Sequence, residues 1–89
     1  MDGRLYQLVR ESRSLFWGVP EDKLELLNEE AVVEAVLNYG RVESVKQLFE
    51  ILGIRKVAEI FYQQTSQPRQ NYLPQTSNYF NIYFKRHAA

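Results

Sequence analysis

The side chains able to do chemistry in this 89-residue chain fall in three places: one histidine, one run of carboxylates and one basic aromatic stretch. His87 is the only imidazole, and it sits in the closing Arg86-His87-Ala88-Ala89. General acid–base work needs fixed geometry, which a chain end does not supply, so a solvated tail residue is expected there. No Gly-x-Ser-x-Gly elbow, Gly-rich phosphate loop or His-Glu-x-x-His motif occurs. Cysteine is absent, which excludes disulfides and thiolate metal sites. Glu29, Glu30 and Glu34 come nearest to a carboxylate site. A di-metal centre would need them turned inward with histidine beside them. Their spacing instead puts them on the wet side of a helix, where they suit its positive N-terminal end. The expectation is no catalytic residue, no metal and no cofactor.

The third place, residues 69 to 86, holds five of the 12 aromatic residues and three bases without an acid. Arg69, Asn71, Tyr72, Tyr79, Tyr83, Lys85 and Arg86 are its candidate partner-binding residues. Tyr and Arg together make large, partly polar contacts with a protein partner at low entropic cost. The same residues could stack unpaired bases and hold phosphates, which makes a nucleic-acid-binding protein the alternative. A purely structural role also fits, in which a terminal aromatic helix closes a small core with its hydroxyls at the rim. A homodimer through the aromatic helix is a further option. A helix-turn-helix is disfavoured, because about ten residues separate the helices on either side of the loop, against the three or four of that motif. Trp17, the one tryptophan, stands before a helix and is expected to dock on the core as an anchor.

Helices must position these residues, and the periodicity reads helical nearly throughout. From 29 to 39, Val32, Ala35, Val36 and Tyr39 recur at three and four with Val33 and Leu37 beside them. Asn28 suits the N-cap, and Gly40 stands where a left-handed C-terminal cap wants glycine. From 42 to 52, Val42, Val45, Leu48, Phe49 and Leu52 form one face, and Gly53 ends the run. A third helix from Ile54 to about Gln63 turns Ile54, Val57, Ala58 and Phe61 inward. Leu5, Leu8 and Val9 suggest a peripheral helix over residues 4 to 13, and Pro20-Glu21-Asp22 opens a short helical turn through Leu27. Residues 64 to 73, rich in Gln and Ser with Pro68 among them, predict a loop. Pro74 can begin a last helix to about Lys85, leaving 86 to 89 as a frayed tail. The run from Tyr79 to Phe84 has the aromatic richness of a strand, but its i, i+3 and i+4 pairs and the lack of a partner strand favour helix. The expected fold is all-α, a compact cluster of four to five short helices in one domain over residues 1–89.

The formal net charge of zero hides an asymmetry. Residues 17 to 52 carry eight acids against three bases, a net −5, and residues 53 to 89 carry five bases against Glu59 alone, a net +4. The acidic part is explained by solvated helix faces and dipoles; the basic part is not, and binding is expected there. No apolar run approaches the ~20 residues that span a bilayer and no leader-like segment opens the chain, so a cytoplasmic location without membrane contact is expected.

Leu15-Phe16-Trp17-Gly18-Val19-Pro20, Val36-Leu37-Asn38-Tyr39-Gly40, Val45-Lys46-Gln47-Leu48-Phe49 and Arg69-Gln70-Asn71-Tyr72-Leu73-Pro74 are the motifs that carry a resemblance. Over residues 15 to 86 the chain resembles a family of small prokaryotic helical proteins with an aromatic "LFW" start, often encoded beside abortive-infection toxins of nucleotidyltransferase type. The resemblance implies an antitoxin-like or accessory role, with such a toxin as the partner protein. It transfers no functional residue, and residues 1 to 14 fall outside it.

Overall fold

Asp2 starts the first helix by accepting hydrogen bonds on its carboxylate from the backbone N–H groups of Arg4 (2.8 Å) and Leu5 (3.3 Å). Those bonds favour the charged form and hold the Asp2 carboxyl below its ordinary range. In the computed structural model, which describes residues 1 to 88, this helix, α1, covers Gly3–Glu11. The chain leaves helical geometry at Ser12 rather than continuing to Arg13, and Arg13–Phe16 forms a separate 3₁₀ turn. A second 3₁₀ turn spans Glu21–Leu26 after Pro20. Four further helices follow: α2 (Glu29–Tyr39), α3 (Val42–Leu52), α4 (Ile54–Thr65) and α5 (Pro74–His87). The fold is all-α, a small globule of five α-helices with no strand among the described residues. The aromatic run 79 to 84 is helix.

Local chemistry explains the boundaries. Asn28 caps α2 by accepting from Ala31 N–H at 2.8 Å. Gly40 ends α2, but with φ −75°, so the expected left-handed cap is absent. Its glycine serves space instead: a Cβ there would lie 2.6 Å from the Val36 carbonyl oxygen, which already accepts the Gly40 N–H at 2.8 Å. Gly53 is the position that needs conformational freedom. At φ 85° it closes α3 and opens α4 as the single residue between them.

Leu5, Leu8 and Val9 of α1 are fully buried or nearly so, which corrects the expectation of a peripheral N-terminal helix. They join Phe16, Leu24, Val32, Val33, Val36 and Leu37, then Leu48, Val57, Ala58, Ile60 and Phe61. Phe80 and Phe84 close the core from α5, with the Phe84 ring 5.3 Å from Phe61 in an edge contact. Helix contacts run α1 to α3, α2 to α3 and α4, α3 to α4, and α4 to α5. The Cα radius of gyration is 12.5 Å, close to the ~12 Å of a packed chain this long.

Three hydrophobic positions face out against expectation. Val42, the first residue of α3, is 67% exposed, Tyr39 is 62% exposed, and Trp17 is 87% exposed instead of anchoring the core. The Trp17 turn is held from behind: the Arg13 guanidinium donates to the carbonyls of Phe16 (2.6 Å) and Val19 (2.7 Å). Phe16 takes the inward place, and the next residue along must point away.

Candidate functional site

The expected loop 64 to 73 is a loop only from 66, because α4 runs on through Gln64 and Thr65, and side-chain amides pin it in place. Asn38 reads its backbone like a neighbouring strand: the Asn38 Nδ2 donates to the Asn71 carbonyl, and its Oδ1 accepts from Leu73 N–H, both at 3.1 Å. Gln64 donates from Nε2 to the Glu30 carbonyl at 2.9 Å and accepts the Tyr72 hydroxyl on Oε1. Gln70 Oε1 accepts from Tyr72 N–H at 2.8 Å.

This clasp takes Tyr72 off the list of partner-binding candidates and ties Asn71 to the loop. Tyr72 is buried, with its ring 5.1 Å from Phe61, and burial, aided by the negative charge of Glu34, pushes its phenol well above the ordinary range. Asn71 is exposed, but its Nδ2 lies 3.4 and 3.5 Å from the Glu34 carboxylate oxygens and its carbonyl is taken by Asn38. Both hold the loop. Two of the three acidic side chains of α2 are likewise engaged within the fold, since Glu29 pairs with Lys56 at 2.9 Å and Glu34 meets Asn71.

Arg69, Tyr79, Lys85 and Arg86 remain exposed and Tyr83 is half-buried. They do not form one site. Arg69 lies in the loop before α5, while Lys85 and Arg86 occupy its last turn, about 17 Å along the axis from Pro74. The helix runs on through His87, whose ring lies 4.5 Å from that of Tyr83, and Ala88 N–H bonds to the Phe84 carbonyl at 2.9 Å. The expected frayed tail is therefore ordered through Ala88, and Ala89 lies outside the described residues.

Tyr79 and Tyr83 do come together with residues from the middle of the chain. Between α3 and α5 runs a groove of about 470 Å³. Leu37 and Gly40 join its lining from the end of α2, Val42, Val45 and Phe49 line the α3 side, and Thr76, Tyr79 and Tyr83 line the α5 side. Phe49 bridges one end, stacking on Tyr83 at 5.8 Å and meeting Phe84 edge-on at 5.9 Å. Elsewhere the two walls stand apart, because α5 packs mainly on α4. The α3 side was legible as an apolar stripe; that part of the stripe would stay uncovered was not.

A second cleft of about 390 Å³ lies on the other flank of α3, lined by Glu11, Ser12, Ser14, Tyr39, Arg41 and Glu43 among others. No nucleophile–base hydrogen bond is formed there among the described residues, and no group of three or more His, Asp or Glu is placed to hold a metal ion. No helix of the described residues is long and apolar enough to cross a membrane. Comparison of the chain with protein-family models, curated proteins and solved structures finds no match in any of the three.

Proposed function

We propose that the protein is a non-catalytic protein-interaction module whose binding surface is the groove between α3 and α5. The observation that supports this is the exposure of Val42 and Tyr79 on its two walls, in a chain with few large side chains to spare from a small core. Aromatic residues beside an apolar floor, rimmed by polar groups, make up the usual centre of a protein interface. Exposed Trp17 on its braced turn supports the same reading, since tryptophan is the residue type most enriched among binding anchors.

The finer proposal, drawn from the resemblance of the sequence motifs, is an antitoxin-like or accessory role in a prokaryotic cytoplasm, with a nucleotidyltransferase-type toxin as the partner. Nucleic-acid binding by the C-terminal third is the weaker reading. Of its five rings only Tyr79 stands well exposed, and its cations lie at opposite ends of α5.

The test is tagged purification from the native host, comparing the wild type with Val42→Ser combined with Tyr79→Ser. Both side chains are exposed, so the variant should keep its helical circular dichroism. One protein should be recovered with the wild type and lost with the variant. Recovery of none, or equal recovery with both, overturns the proposal. A captured nucleotidyltransferase supports the finer role, and any other protein removes it. If an oligonucleotide binds instead, with affinity falling log-linearly with salt, the nucleic-acid reading replaces both.

A further inference from the structure

Resting on the reading of the groove as a protein-binding surface, we infer that its occupant is an amphipathic helix with an apolar face flanked by acidic side chains. Three observations carry this. The first is shape. Val42 to Phe49 is eight residues of α3, about 10 Å or two helical turns from first to last, the span over which a bound helix presents anchors at i, i+3 or i+4, and i+7. The second is backbone chemistry. Among the described residues there is no strand, so no sheet edge is offered to an extended peptide, and the backbone N–H groups of α3 from Val45 on and of α5 from Ser77 on are spent within their helices. A partner must satisfy its own backbone, and a helix does so.

The third is charge. Among the described residues Lys46 is the one charged residue lining the groove, and no carboxylate side chain lines it. Arg86 stands on the same face of α5 as Tyr79 and Tyr83, at spacings of seven and three, which carries the positive rim one turn beyond Tyr83. Glu43 and Glu50, the acids of α3, flank Lys46 at spacings of three and four but line clefts on the α1 side rather than the groove. The chain's zero net charge thus resolves locally into an apolar channel with a cationic rim. An acidic amphipathic helix complements it, and a basic one is repelled. A second copy of this chain entering through its own α5 would bring Lys85 and Arg86 against the same rim.

The experiment uses the whole protein with two fluorescein-labelled, stapled helical peptides. Each carries leucines at i, i+4 and i+7, flanked in one by glutamates and in the other by lysines. The acidic peptide should bind about fivefold or more tightly than the basic one by fluorescence anisotropy at moderate salt. Its amide shift changes should fall on α2 through α3 and on α5, and Lys46→Glu with Arg86→Glu should invert the preference. Equal affinity for both peptides, or a preference unmoved by the charge reversal, overturns the inference. So does binding of neither, while the capture experiment then still decides separately whether the groove binds a protein. A concentration-dependent dimer by light scattering that perturbs Val42 and Tyr79 overturns it in favour of a second copy.

Discussion

The Tyr72 hydroxyl donates to Gln64 while its ring packs against Phe61, and these contacts turn a candidate surface residue into part of the fold. Nothing in the local string Asn71-Tyr72-Leu73-Pro74 separates a tyrosine that reaches out from one that reaches in. Only the amides of Asn38 and Gln64, more than thirty and eight residues away in the chain, decide it. The consequence is measurable. The folded protein keeps this phenol protonated above 10.0, its ordinary value, whereas the unfolded chain ionises near it. Stability from Tyr72 is therefore complete below about pH 10 and is lost as pH rises from there through the folded value, by at most about 1.4 kcal/mol per pH unit. Urea titrations toward about pH 11 should show the wild type losing stability faster than Tyr72→Phe. At neutral pH that variant should be weaker by about 1 kcal/mol for the lost hydrogen bond. Parallel pH curves would show the phenol is not buried. Trp17 illustrates the converse, since its type argues for an anchor while its position, one residue past buried Phe16, turns it outward.

At the scale of elements, periodicity was legible wherever two or more apolar residues recurred at helical spacing, which is why α2, α3, α4 and α5 appear near their expected bounds. Faces were less legible than helices. The α3 stripe was read correctly at Leu48, but Val42 at its start has no helix opposite, because α5 leans on α4 instead. On α4, Ile60 is buried although it stood outside the expected stripe, since the helix is covered by α2 on one side and α5 on the other. The joints divide in the same way. Glycine was expected at both corners, yet only Gly53 uses a conformation reserved to it. Gly53→Ala should cost about 1–3 kcal/mol in chemical denaturation, through strain at a positive φ with open space around the added methyl. A loss below about 0.5 kcal/mol would mean that the α3–α4 corner has another backbone geometry.

For the molecule as a whole, α1 changes most from its sequence expectation. Three of its nine residues are buried, and it lies against α3 and both 3₁₀ turns, so one side of the core is closed by it. Deleting residues 1 to 11 should abolish the cooperative thermal transition followed by circular dichroism. Leu8→Ala alone should cost about 2–5 kcal/mol, as expected for a leucine truncated in a packed interior. A truncated chain that still melts cooperatively near the wild-type temperature would return α1 to a peripheral role. Charge also resolves only at this scale. The acidic half is spent on helix first turns, solvated faces and pairs such as Glu29 with Lys56, whereas the cations of α5 stay free of ion pairs among the described residues.

The all-helical class, the approximate bounds of α2 to α5 and most of the core were determined by the sequence alone, because 3.6-residue periodicity, caps and glycines are short-range signals. Which apolar side chains stay uncovered was decided by the tertiary structure. Burial of Tyr72 and exposure of Val42, Tyr79 and Trp17 depend on which helix leans on which, and that is settled by contacts between residues far apart in the chain. The groove exists because five short helices cannot cover every apolar face they carry.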